Sequence, residues 1–190
     1  GCTLEAAEAV SDASLVALAS LADKSLLRRD ETDEPRFRML ETIREYALER
    51  LRALGEEEDL RRRHAEHFKE FAARSAAELR AGKSSRDIYG RLESDLDNIR
   101  AALGWADSNA PELMLELAGV LKLFWRVRGH LDEGRRWLYT ALAHGSSATP
   151  GRARALEAAG AVAQRRGDYV SAKALWQEGL DIWRGLGDDE

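Results

Sequence analysis

Apolar positions along the chain change rhythm at two points. Over residues 4–10 and 12–22 they recur at helical spacing in two short Ala-rich stretches, with Thr3 placed to cap the first. Ser25-Leu26-Leu27-Arg28-Arg29 and Arg36-Phe37-Arg38-Met39-Leu40 then alternate around a polar stretch from Asp30 to Pro35, which predicts a β-hairpin. Helical spacing returns at Glu41. Ile43, Tyr46, Ala47, Leu51 and Leu54, with the stem of Arg50, share one face, and Gly55 is expected to end that helix. Two longer helices are predicted over residues 57–81 and 87–106, with Ser84 and Asp87 at the spacing of a capping box between them.

Beyond residue 110 the same residue types return with a lag of 38 residues. Gly129 falls on Gly167, Leu131 on Tyr169, Gly134 on Ala172, Leu138 on Trp176, Ala141 on Gly179 and Leu142 on Leu180. Each copy predicts a helix, a Gly-centred turn and a second helix, a hairpin that cannot bury its apolar face without a stacked neighbour. Small residues at Gly134 and Ala172 suit a close helix crossing, and Leu138 and Trp176 are expected to plug the next groove. Trp125 and Trp176 both fall on predicted core positions. Thr149 and Pro150 open the second copy as cap and first helical residue, a loose linker is expected over residues 144–150, and every later break is expected at a Gly or a cap. Through Leu156, Ala159, Gly160, Ala163, Gly167, Tyr169, Ala172, Trp176, Gly179 and Leu180 the second copy resembles a tetratricopeptide (TPR) repeat. The first copy fits less closely, because Lys122 stands where Gly160 stands in the second. The expected fold is mainly α: a winged-helix module of helices plus a small β-hairpin over residues 1–55, a linking helical hairpin over 56–110, and a TPR-like α-solenoid of helical hairpins over 111–190.

Composition narrows the function. Charged residues are 33% of the chain and no apolar run approaches the length of a membrane span, so neither a spanning helix nor a signal peptide is read and the expected location is cytoplasmic. The balance of 29 basic and 34 acidic residues gives a net charge of −5, which as a whole offers no attraction to nucleic acid or an anionic membrane. Cys2 is the single cysteine, which rules out an internal disulfide and a cysteine-based zinc cage, and it is read as a bystander. The chain opens on Gly1 and closes on Asp188-Asp189-Glu190, where a third hairpin would begin, and it is read as a piece of something longer.

Asp23-Lys24-Ser25-Leu26-Leu27, followed by Arg36-Phe37-Arg38-Met39-Leu40-Glu41-Thr42-Ile43-Arg44-Glu45-Tyr46-Ala47, closely resembles bacterial STAND signal-transducing NTPases, including large LuxR-like and AfsR-like transcription regulators. In them this segment is the winged-helix end of an NB-ARC-type ATPase module. Leu96-Asp97-Asn98-Ile99-Arg100-Ala101-Ala102-Leu103 is similar to the segment that leads into their TPR-type sensor. The resemblance implies a regulatory, protein-interaction fragment whose solenoid senses a protein or small ligand and couples to an ATPase module outside this chain. ATP, ADP and Mg²⁺ belong to that module. This chain contains no Gly-rich loop with the Lys and Ser/Thr of a P-loop, so no cofactor is expected in it. The Met-His-Asp triplet that closes many NB-ARC sites over ADP reads Met39-Leu40-Glu41 here; Leu40 cannot donate to a phosphate, and Glu41 is expected to cap its helix. The alternative is a free-standing winged-helix DNA-binding protein dimerised through its repeats.

Candidate sites follow from these faces. Arg28, Arg29, Arg36 and Arg38 make the hairpin basic, a surface for weak DNA phosphate contact or for domain packing. The helix before it carries serines and aspartates around an apolar face and lacks the Arg, Asn or Gln that read base edges, so DNA is expected to be a minor partner of this chain alone. His64 and His67 lie one turn apart among Arg61, Arg62 and Arg63, which repel cations, and are read as surface residues. No Ser, His and Asp set carries a nucleophile motif, so no enzyme activity is expected. A protein or peptide partner is expected on the solenoid's concave side. There the packing pattern leaves Glu116, Leu123 and Arg126 free in the first copy, and Arg154, Glu157, Ala161, Gln164 and Arg165 in the second. Arg126, Arg154 and Arg165 give that side a basic lining suited to an acidic partner.

Overall fold

The computed structural model describes residues 1–30, 35–144 and 147–187. Residues 31–34, within the stretch where the sequence predicts the hairpin turn, residues 145–146, within the expected linker, and Asp188-Asp189-Glu190 lie outside the described residues. The chain forms two units, Gly1–His67 and Phe68–Glu190.

In the first unit, α1 (Leu4–Ser11) starts where the Thr3 hydroxyl accepts a hydrogen bond from the Ala6 amide at 3.2 Å. It ends at Asp12, which takes the left-handed conformation at φ 55°. The next helix therefore begins later than residue 12: α2 (Leu15–Asp23) is capped by the Ser14 hydroxyl, which accepts from the Ala17 amide at 3.2 Å. Strands β1 (Leu27–Asp30) and β2 (Arg36–Met39) pair antiparallel, Leu27 opposite Met39 and Arg28 opposite Arg38. Cys2 extends this sheet: its amide donates to the Phe37 carbonyl at 3.0 Å and its carbonyl accepts from the Phe37 amide at 2.8 Å. Read as a bystander, Cys2 is an edge of the sheet, and a single paired residue has no period by which a sequence reveals it. Ala7, Leu18, Leu27 and Phe37 form the core, with Cys2, Leu4 and Leu21 packed around it.

Helix α3 (Glu41–Leu54) ends at Gly55 with φ 72°, as its pattern predicts. No residue of α3 is fully buried, and Tyr46 and Leu54 remain 62% and 61% exposed. Glu41 does not cap the helix; its carboxylate receives the Arg44 guanidinium one turn on. The boundary between the units falls within α4 (Glu57–Arg80). Near its start, Arg63 donates to the Ala9 carbonyl at 3.2 Å and pairs with Asp12 at 2.9 Å.

In the second unit the helix expected over 87–106 is two helices, α5 (Ser85–Ser94) and α6 (Leu96–Asn109). The break is Asp95, a buried carboxylate that accepts from the Asn98 side-chain amide at 2.8 Å. The expected capping box is not made, since the Ser84 side chain caps nothing. Next come α7 (Pro111–Val120), α8 (Lys122–Val127), α9 (Leu131–Ala143), α10 (Pro150–Arg165) and α11 (Tyr169–Leu186). Gly129 and Gly167 stand between the helices of the two predicted hairpins with φ of 84° and 80°, where a Cβ would be strained. The Thr149 hydroxyl caps α10, accepting from the Arg152 amide at 3.1 Å.

The break between α7 and α8 at Leu121 is neither a Gly nor a capped end. There the Trp125 indole donates to the Ala118 carbonyl at 3.2 Å, supplying a donor for a carbonyl of α7's last turn. Helix α10 is the centre of this unit, packed against α7, α9 and α11. Its Ala153, Ala155, Ala158, Ala159 and Gly160 are buried, and their small side chains let three neighbours approach. Trp176 departs from expectation. It does not plug a further groove but covers Gly160 of its own hairpin, its indole donating to the Glu157 carbonyl at 3.1 Å, and it is 37% exposed.

Candidate functional site

Four helical segments of the second unit enclose a groove of about 850 Å³. From α4, Lys69, Ala73, Ala76 and Arg80 line it at helical spacing, so one face of that helix forms a wall. The floor comes from Val120 and Leu123 across the α7–α8 break, and the far wall from Arg154 and Glu157 of α10 with Trp183 of α11. Gly119 allows α7 to sit against α10, for a Cβ there would lie 3.0 Å from the Ala155 amide nitrogen. Two ion pairs cross the groove's lining. Lys69 meets Glu116 at 3.3 Å, linking α4 to α7, and Lys122 pairs with Glu157, linking α8 to α10. The Arg154 guanidinium lies 5.6 Å from the centre of the Trp183 ring.

Of the residues expected on the concave side, Leu123, Arg154, Glu116 and Glu157 come together in this groove. Arg126, Gln164 and Arg165 are exposed outside its lining. For Arg126 the prediction rests on one continuous first helix in the first copy, and the break at Leu121 interrupts that face. Gln164 and Arg165 stand at the C-terminal end of α10, about two to three turns beyond the Arg154 and Glu157 that line the groove. Sequence reasoning missed Lys69, Arg80 and Trp183. The spacing of residues 69, 73, 76 and 80 carries a signal for the α4 wall, but nothing in the sequence ties Trp183 to Arg154.

A polar cluster outside the groove binds α6 to α9. Arg100 reaches Glu133 in bidentate fashion at 2.7 and 2.8 Å, and the Trp137 indole donates to the same carboxylate at 3.3 Å. The Arg100 guanidinium holds Glu133 below the usual carboxylate range, against the opposing effect of burial. His130 stacks on Phe124 and meets Glu93 at 3.1 Å. These contacts account for the cluster as a tie between helices.

In the first unit the register places Arg28 and Arg38 side by side on the sheet face opposite Leu27 and Phe37. Like charges so placed repel, and Asp30 offsets this by pairing with Arg38 at 2.9 Å. Arg36 donates to the Gly1 carbonyl at 3.1 Å. Arg28 and Arg29 are exposed and meet no carboxylate among the described residues. Helix α2 turns Leu15 and Val16 outward and holds no Arg, Asn or Gln. Met39 and Leu40 are exposed and offer no side-chain donor to a phosphate. His64 and His67, expected at the surface, are half-buried, and among the described residues no group of three His, Cys, Asp or Glu could hold a metal ion. No helix among the described residues is long and apolar enough to cross a membrane.

Residues 1–52 match the family profile of a winged helix-turn-helix domain, and the arrangement of α1, α2 and the β1–β2 hairpin agrees with it. Over 127 residues, 66% of this chain, the sequence is 37% identical to proteins bearing the provisional name HTH-type transcriptional regulator in Mycobacterium bovis and Mycobacterium tuberculosis. The chain spans about 14% of the length of those relatives. No solved structure matches it. The chain thus carries an N-terminal winged helix-turn-helix domain and is homologous to these regulators.

Proposed function

We propose that this chain is a regulatory segment of a multidomain transcription regulator of the STAND type. Its winged helix would end an NB-ARC-type ATPase module, and its helical hairpins, a TPR-like sensor, take a protein ligand in the groove between α4, α7–α8, α10 and α11. A ligand that fits one packing of the hairpins better than another shifts the balance between them. That differential affinity is the whole of the energy available to bias the ATPase between its off and on states. The groove carries this reading: it is open, lined by side chains from four segments, and four of the eight positions expected on the concave side, Glu116, Leu123, Arg154 and Glu157, meet in it. The similarity to much longer regulators supports a parent protein with further domains. Removing residues 68–190 from the gene in frame should change transcript levels of the regulated genes, and the reading frame upstream of Gly1 should encode a P-loop. Unaltered transcripts would remove the sensing role, and the lack of a P-loop would remove the ATPase coupling.

The winged helix-turn-helix match favours a second reading, DNA contact by this chain itself, possible also in a free-standing protein dimerised through its repeats. That match weighs against setting DNA aside on net charge alone. With no Arg, Asn or Gln on α2 to read a base edge in bidentate fashion, contact falls mainly to phosphates through Arg28, Arg29 and Arg38. Binding of a labelled duplex, followed by fluorescence anisotropy, should fall steeply between about 50 and 200 mM salt and be lost on Arg28→Glu with Arg29→Glu. Binding confined to one sequence and insensitive to salt would contradict a phosphate-only contact.

A further inference from the structure

We infer that the groove takes a peptide with acidic side chains beside apolar ones, its carboxylates held between Arg80 and Arg154. This rests on the reading of the groove as the ligand site and names the ligand's chemistry. Four cations line the groove, but Lys69 and Lys122 are already neutralised by Glu116 and Glu157. Each pair joins two helices, so those ammonium groups are committed to holding the walls together. Arg80, in the last turn of α4, and Arg154, on α10, meet no carboxylate among the described residues. The remaining lining carboxylate, Glu70, stands ten residues before Arg80 on α4, about 15 Å away along the helix, too far to compensate it.

Arg154 is the more specific of the two. Its guanidinium carbon lies 5.6 Å from the centre of the Trp183 ring, a cation–π contact that leaves N–H donors to meet a carboxylate in bidentate fashion. The lining also carries apolar surface from Val120, Leu123, Ala73 and Ala76. A ligand with both anionic and apolar side chains complements that lining. The groove is a local exception on a chain of net charge −5, which disfavours approach of acidic ligands elsewhere on its surface. Arg126 and Arg165, outside the lining, take no part.

The test uses the full 190-residue chain and fluorescein-labelled pentapeptide pools alternating Asp or Glu with Leu or Phe, read by fluorescence anisotropy. A matching pool replaces Asp and Glu by Asn and Gln. The acidic pool should bind, weaken with added salt, and lose about tenfold or more in affinity on Arg80→Glu or Arg154→Glu. Arg154→Lys keeps the charge but loses the planar two-donor fork and should also weaken binding, whereas Arg126→Glu with Arg165→Glu should leave it unchanged. All these positions are exposed, and circular dichroism melts confirm that each variant is folded. Equal binding of the amide pool would overturn the anionic assignment while leaving the groove as a ligand site. Loss on the Arg126 and Arg165 changes would overturn the position, and binding of neither pool would overturn the ligand class. The in-frame removal of residues 68–190 tests the underlying reading independently of all three.

Discussion

Arg152 is a buried cation, 9% exposed, at the meeting of α9, α10 and α11. Its guanidinium reaches Glu178 at 2.7 and 3.1 Å and donates to the Leu142 carbonyl at 3.0 Å, so one side chain joins three helices. Glu178→Ala leaves that buried guanidinium short of an acceptor and is expected to cost about 1–3 kcal/mol, read as a lower urea midpoint. The Arg100–Glu133 pair gives a pH signature. Because Glu133 titrates lower in the folded chain than in the unfolded one, its stabilising effect is complete above the ordinary carboxylate range and is lost as pH falls through the folded value. Glu133→Gln should therefore destabilise the chain at neutral pH, and the gap from the parent should narrow as denaturation is repeated towards pH 3. A constant gap would show that the charge of Glu133 contributes nothing.

At the scale of elements, the two hairpins meet the same steric demand in opposite ways. In the first, buried Trp125 of α8 lies over Gly134 of α9; in the second, Trp176 of α11 lies over Gly160 of α10. The helix that carries the glycine has changed, although both hairpins descend from one sequence pattern. The consequence is unequal tolerance. Gly134→Val drives a side chain into a fully enclosed indole and is expected to cost about 1–3 kcal/mol. Gly160→Ala meets the indole of a tryptophan that is already partly in solvent and can turn outward, so its cost should be smaller. Thermal or urea denaturation of the two variants checks the order, and a larger loss for Gly160→Ala would reverse the assignment of which tryptophan is fixed.

At the scale of the whole molecule, the chain holds the phosphate-binding loop of no nucleotide site, and Met39-Leu40-Glu41 offers no donor after the wing. Isothermal titration of the 190-residue chain with ATP or ADP should give no heat above dilution, and micromolar affinity would contradict this. Local signals fixed much of the architecture in advance. Thr3, Thr149 and Gly55 mark element ends because a cap or a left-handed residue acts within a few residues of itself, and the alternation around residues 27 and 37 marks the hairpin. The 38-residue lag likewise located the Gly129 and Gly167 turns. The breaks at Asp95 and Leu121 escaped the pattern, since neither falls at a Gly or a Pro and the apolar spacing runs on through both; the contacts found there, Asp95 with Asn98 and the Trp125 indole with the Ala118 carbonyl, depend on side-chain rotamers that spacing does not reveal. The groove was legible only in part: periodicity says which face of a helix is free, so Leu123 and Arg154 could be named, but not which helices stand opposite. Sequence alone determined the order of elements, their caps and their apolar faces, because those follow from interactions between near neighbours along the chain. Tertiary packing decided that α4 and Trp183 line the groove, that Lys69 and Lys122 are neutralised, and that Arg80 and Arg154 meet no carboxylate among the described residues, because such pairings depend on distances between helices that no local pattern encodes.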